Sequence, residues 1–135
     1  MTDQRRAQLE HMAREAFTQL GKMTPEGIDR AVACCTEDVH VEWPFGPPPP
    51  LKGRAAFREF ANANAMQFDI RLEHLHVDVD QGVTVITGSS SGTNPRTNLP
   101  YANRYVILCK FKSDLIAEWY EYLNPIPVLK SAGLM

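Results

Sequence analysis

No stretch of this 135-residue chain is apolar for long enough to cross a bilayer. The opening Met1-Thr2-Asp3-Gln4-Arg5-Arg6 leads into a charged amphipathic segment, not the apolar core of a signal peptide. A membrane role is therefore not expected, and a cytoplasmic setting is. Basic charge is not in surplus: 14 Lys and Arg against 16 Asp and Glu leave a net charge of -2, too little for an electrostatic grip on nucleic acid. Cysteine is scarce and badly spaced for a disulfide framework, with Cys34 and Cys35 adjacent, Cys109 far away and the total odd at 3. That pattern fits a reducing compartment. Internal repeats are absent, and the run Pro47-Pro48-Pro49-Pro50 is the one low-complexity patch. Ser89-Ser90-Ser91-Gly92-Thr93 lacks a following Gly-x-x-x-x-Gly-Lys, so it marks a polar strand end and not a phosphate loop.

What is present is enough for one domain over residues 1–135, with a core that needs no staples. From Asp3 to about Leu20, apolar residues recur at Leu9, Met12, Ala13, Ala16, Phe17 and Leu20, the three-and-four spacing of one helix face. Thr24-Pro25 offers a cap and a first-turn proline for a second helix that buries Ile28, Val32 and Cys35. Asp38 to Trp43 alternates and ends at a proline, which predicts a short strand. Gly53 opens a third helix with Phe57, Phe60 and Ala61 inside. Strands follow near Phe68–Val79, Val83–Gly92, Asn103–Phe111 and Leu115–Leu123, separated by turn signals at Asp80-Gln81-Gly82, Asn94-Pro95 and Ser113-Asp114. Such short connections make these strands mostly antiparallel.

Helices first and a long meander afterwards describe an α+β fold: a curved, mixed, mostly antiparallel sheet wrapped around about three helices, a cone with an apolar pocket. Tyr105-Val106-Ile107-Leu108-Cys109 is apolar on both faces, so the outer face also needs a cover. A second copy of the chain supplies it, which predicts a homodimer packed through the outer sheet face.

Two segments carry a resemblance. The string Asp38 to Gly53, with Glu42-Trp43-Pro44-Phe45-Gly46 at its centre, resembles the segment of ketosteroid isomerases that runs from the second helix into the third. The ending Glu121-Tyr122-Leu123-Asn124-Pro125-Ile126, followed by Leu129-Lys130-Ser131-Ala132-Gly133, resembles SnoaL-like proteins, especially the phenazine-biosynthesis A/B type. Both belong to the nuclear transport factor 2-like superfamily, and the likeness spans nearly the whole chain. It implies the α+β cone and leaves the reaction open, because the fold hosts isomerases, cyclases, hydrolases and non-catalytic binders.

The isomerase chemistry needs a carboxylate base, a tyrosine and a protonated aspartic acid. By resemblance these positions fall on Trp43, Phe17 and Ile107, none of which can do the work. Steroid-type isomerisation by the inherited base is therefore not expected.

The last strand holds the alternative. Alternation puts Ala117, Trp119, Glu121 and Leu123 on one face. In the phenazine-type proteins the matching glutamate enters the pocket and acts as an acid/base, a role that Glu121 takes by resemblance. A carboxyl among Trp43, Trp119, Phe17 and Leu123 would lose hydration, which favours its neutral form. Against this stands a pairing of Glu121 with an arginine such as Arg104, or simple exposure. Trp43 and Trp119 either stack on a planar substrate ring or fill the core. Phe17, Phe57, Tyr105 and Leu123 complete the candidate pocket, and Asn103 and Tyr105 offer hydrogen bonds to a ligand or pack. Arg54 stands where the phenazine-type proteins have a histidine, and binds an anion or makes a surface or capping contact. His74 and His76 share strand parity with Asp78, while His11 and His40 are isolated, and no metal site is expected. Cys109 is a core residue with no histidine placed beside it.

Two functions remain. One is an enzyme that needs no cofactor and moves protons on a small hydrophobic cyclic substrate, in a cyclisation, isomerisation or dehydration, through Glu121. The other is a non-catalytic binder or accessory subunit of the same fold.

Overall fold

The structure is a computed structural model that describes residues 2–135, so Met1, the first residue of the expected domain, lies outside it. Two helices open the chain. α1 (Thr2–Gly21) buries Leu9, Ala13, Ala16 and Phe17, the face its periodicity predicts. α2 (Pro25–Ala33) is capped by Thr24, whose side chain accepts from the Gly27 N–H at 3.1 Å, with Pro25 in the first turn. Cys34 caps its far end. Cys35, expected on the inner face of α2, instead starts β1 (Cys35–Glu42), still fully buried. The strand therefore begins earlier than Asp38 and stops one residue short of Trp43.

The proline run leads into a two-residue strand, β2 (Leu51–Lys52), which pairs antiparallel with β1 and was not expected. Gly53 then sits at φ 95°, a conformation open to glycine at little steric cost, and α3 (Arg54–Ala63) starts from it. Its inner residues are Phe57 and Ala61, with Phe60 half-buried.

β3 (Asp69–Asp78), β4 (Val83–Thr93), β5 (Pro100–Lys112) and β6 (Leu115–Leu123) form the expected meander. Ser113, at φ 55°, turns the tight hairpin between β5 and β6. The six strands run in the order β2-β1-β6-β5-β4-β3, antiparallel throughout except for the parallel pair β1 and β6. α1 and α3 pack against one face, so the sheet curves around them as a mixed, mostly antiparallel α+β cone.

The register shifts in three strand pairs, β1 with β6, β3 with β4 and β5 with β6, and the last two bear on the candidate residues. Between β5 and β6 the register shifts, so that Phe111 pairs with Ile116 and Lys110 with Glu118. An extra residue on one strand reverses parity from that point. Ile116 consequently points into the core, and Ala117 does not share the inner face of Trp119 as simple alternation implied. A second shift, between Leu72 and His74, keeps both Leu72 and Leu75 against the core and turns His74 and His76 outward.

α4 (Pro125–Ser131) was also not expected. Asn124 caps it, accepting from the Ile126 N–H at 3.0 Å, and Thr97 ties it to the β4–β5 loop by donating to the Ser131 carbonyl. Among the described residues, no helix is long and apolar enough to cross a membrane.

Candidate functional site

The concave side of the sheet brings most of the candidate residues together. Across β5 and β6, Ile107 stands opposite Glu121 and Tyr105 opposite Leu123, while Val41 of β1 is level with Trp119. Trp119, Glu121 and Leu123 therefore share the inner face with the core residues Ile107 and Cys109. Phe57 and Trp119 are each 1% exposed, with ring centroids 5.6 Å apart, and Phe17 reaches in from α1 to the backbone at Gly88. These three are built into the core. Trp43, just beyond β1, packs on Phe60 at 4.8 Å, and it remains half-buried together with Tyr105, Glu121 and Leu123. The three positions of the isomerase frame, Trp43, Phe17 and Ile107, all adjoin this interior.

Glu121 has no ionic partner: among the described residues, no salt bridge includes it. Arg104, a candidate to neutralise it, lies on the other face of the sheet and pairs with Glu73 at 3.2 Å. Burial raises the Glu121 carboxyl above its ordinary value, because a carboxylate there would lack water. The Trp119 and Trp43 side chains oppose this by hydrogen bonding. The Trp119 indole N–H donates to Oε1 over 3.3 Å, a long bond that offsets only part of the desolvation.

Next to the carboxyl runs a chain of polar side chains. Ser90 hydrogen-bonds Tyr105, whose hydroxyl lies 3.4 Å from that of Tyr101. Asn103 donates both to Tyr101 Oη at 3.0 Å and to the Asn124 carbonyl at 2.9 Å. Burial drives the Tyr105 phenol well above its usual range, and the nearby Tyr101 and a charged Glu121 push it the same way. Asn103 and Tyr105 were singled out in the sequence; Tyr101 was not. Its signal was there, because Tyr101, Asn103 and Tyr105 alternate along one strand.

The remaining candidates stand elsewhere. Arg54 spends its guanidinium on the Cys35 carbonyl, with Nε at 2.8 Å, which joins α3 to the start of β1. His74 and His76 stack on the outer face with centroids 6.3 Å apart, and His74 Nδ1 is 3.0 Å from Thr87 Oγ1. Asp78 accepts from the Gln81 N–H in the following turn. Among the described residues, no cluster of three His, Cys, Asp or Glu side chains is arranged to hold a metal ion. Cys109 is buried at the core, and desolvation first, then the nearby Cys35, raises its thiol.

Two concavities border the polar chain and the end of β6, the first reaching Ser90 and Asn103 and the second reaching Leu123. A groove of about 550 Å³ is lined by Asp69, Arg71, Ser89, Ala102 and Arg104 among others. A second of about 380 Å³ lies between Phe45, Tyr122 and Pro125. Neither includes Glu121, so neither is the apolar pocket expected inside the cone.

A family model described as a SnoaL-like domain matches residues 7–119. No curated protein matches the sequence significantly. Solved structures with the same fold include a Bacillus subtilis protein provisionally assigned as an isomerase, at 16% identity and a TM-score of 0.82 over 100% of this chain and 97% of that one. The BvnE pinacolase of Penicillium brevicompactum aligns with a TM-score of 0.76 at 20% identity, covering 96% of this chain and 92% of its own. An LEH-like epoxide hydrolase from M. tuberculosis gives a TM-score of 0.73 at 10% identity, covering 93% and 89%. At such identities the likeness carries the fold and not the reaction.

Proposed function

The chain belongs to the SnoaL-like family, and from that premise we propose that it is an enzyme of proton-transfer chemistry, with Glu121 as its general acid and base. The substrate is a small hydrophobic cyclic molecule, and the reaction is a cyclisation, isomerisation or dehydration that requires no cofactor. One observation carries this reading: a carboxyl on the inner face of the sheet, shifted upward by burial and without a cationic partner. An ion-paired carboxylate would be a poor proton donor. A desolvated, unpaired one holds its proton to higher pH than an ordinary carboxyl does, which suits it to donating a proton and taking it back. A positioned group of this kind contributes about 10²–10⁴ to a rate.

Trp43, Tyr105 and Leu123 surround the substrate in this reading, while Trp119, Phe57 and Phe17 back them from the core. The solved structures of the same fold include one named a pinacolase and one named an epoxide hydrolase, and both names are compatible with acid/base work at an oxygen. Infrared spectroscopy provides the first test. A protonated carboxyl band present in the wild type near neutral pH and absent in Glu121→Gln supports the acid role; no difference between the two defeats it. Once a substrate is found, Glu121→Gln keeps ligand affinity and loses turnover, whereas binding without turnover by the wild type would mark a binder.

We also propose that the protein is a homodimer through the outer sheet face, where Val106 is 42% exposed beside Leu108. Sedimentation at micromolar concentration tests it, and a monomer there counts against it.

A further inference from the structure

Among the Phe, Tyr and Trp rings of the described residues, Phe45 alone is left exposed, at 64%. It is also held in place. The Gly46 N–H donates to the Trp43 carbonyl at 3.2 Å, which closes a turn with Phe45 near its tip. Before the turn, Trp43 packs on Phe60, and after it the proline run has little conformational freedom. Gly46 lies against the start of α4, where an added Cβ would stand 3.9 Å from Pro125 Cβ. The Phe45 ring meets Tyr122 edge-on, with centroids 5.7 Å apart and planes at 65°. An edge-on pair leaves ring face open that a stacked pair would close.

These two rings wall the concavity of about 380 Å³ at the end of β6, together with Leu123 and Pro125. Its one charged lining residue is Arg104, and no acidic residue lines it. Glu73 engages Arg104 through a single nitrogen, because both carboxylate oxygens contact Nη2, at 3.3 and 3.2 Å. Among the described residues, Nη1 and Nε of Arg104 have no acceptor. A guanidinium carries five donors in a plane that matches a carboxylate, so most of this one is unspent. The groove thus combines a preset aromatic wall with a cation that has donors to give.

We propose that this groove binds a small aromatic carboxylate, with its ring against Phe45 and Tyr122 and its charge on Arg104. The site is separate from the interior, since Glu121 does not line it, and it does not depend on the acid/base role of that residue. Charge selects the class of ligand. A neutral ring would leave Arg104 unused, and a cationic one would be repelled by it. The interior has the opposite bias, because Glu121 has no cation beside it to receive an anionic ligand. Tyr122 stands opposite Val106, so the groove lies at the end of the face assigned to a second copy, where Phe45 and Pro125 add walls from a loop and a helix outside the meander.

The test uses 2-naphthoate and 2-naphthamide, which share a shape and differ in charge. Their affinities are measured by fluorescence titration for the wild type, Phe45→Ala, Arg104→Gln and Glu121→Gln. Phe45 and Arg104 are both well exposed, so neither change threatens the fold. The wild type is expected to prefer 2-naphthoate by about threefold, the scale of an exposed ion pair, and added salt shrinks that preference. Arg104→Gln abolishes it at unchanged 2-naphthamide affinity. Phe45→Ala weakens both probes by about two- to tenfold, the scale of an aromatic contact. Glu121→Gln leaves both affinities as they were, whereas binding in the interior would tighten 2-naphthoate once that carboxyl is gone. Failure of 2-naphthoate to bind, equal affinity for the two probes, a preference that survives Arg104→Gln, or tighter binding in Glu121→Gln overturns the proposal. So does a Phe45→Ala variant that keeps its probe affinity but self-associates less in sedimentation, which would give the groove to a second copy of the chain.

Discussion

Glu121 stands directly opposite Ile107, so a carboxyl shares one side of the sheet with a buried aliphatic core residue. Its upward shift has a consequence for stability. In the unfolded chain the group titrates at its ordinary 4.5, and in the fold it titrates higher. Between those two values the unfolded chain has released its proton while the folded one retains it, so rising pH favours unfolding. Below 4.5 both states are protonated and the penalty vanishes. Urea denaturation across this range is expected to show Glu121→Gln losing less stability than the wild type as pH rises from 4.5. Parallel profiles for the two proteins would mean that the carboxyl is solvated.

Gly88 is a second point of tension. A Cβ there would stand 2.7 Å from the Arg71 carbonyl and 2.9 Å from Phe17 Cζ, both closer than real contacts allow. The carbonyl is backbone in a paired strand and has little room to give way. Gly88→Ala should therefore cost about 1–3 kcal/mol, the usual cost of overpacking, and displace Phe17 from the inner face. Chemical denaturation measures the loss; an unchanged midpoint would show that α1 is free to move off the sheet.

Arg54 tests the difference between a binding residue and a brace. Its guanidinium bonds the Cys35 carbonyl through Nε, and a lysine has no equivalent fork. Both Arg54→Lys and Arg54→Ala are expected to lower stability, the alanine by about 1.5–3 kcal/mol for a charge-assisted hydrogen bond. Affinity for a planar aromatic probe such as 2-naphthol, titrated by fluorescence, should not change. Full stability with weakened binding would return Arg54 to the site as an anion contact.

The order of elements was legible because periodicity and turn chemistry agree along most of the chain. Phe17 and Leu9 share a helix face by spacing alone, and Gly82 and Ser113 lie in turns that the sequence marks. The inward face of β6 was legible from Trp119 onward, but the parity before it was not. A bulge depends on how two strands pair, and nothing in Ile116-Ala117-Glu118 announces it. β2 is only two residues long, too short for any pattern to emerge. α4 had a signal in Asn124-Pro125, a cap followed by a first-turn proline, as plain as the Thr24-Pro25 pair that was recognised. At the site, Glu121 was named by resemblance, and its lack of an ionic partner depends on Arg104 lying across the sheet. The link from Asn103 to Asn124 joins β5 to the start of α4, a contact that no local pattern specifies.

The parallel pairing of β1 with β6 also governs how the chain can assemble. Val41 finds its partner in Trp119, with nearly the whole meander intervening between them. Contacts between such distant segments are slow to form, because the loop they close is long. On a ribosome, β1 and the two helices before it emerge with that edge unpaired and wait until β6 has been synthesised. The element that carries Glu121 is thus the one that completes the sheet, and damage to it would be felt first in how much protein reaches the folded state.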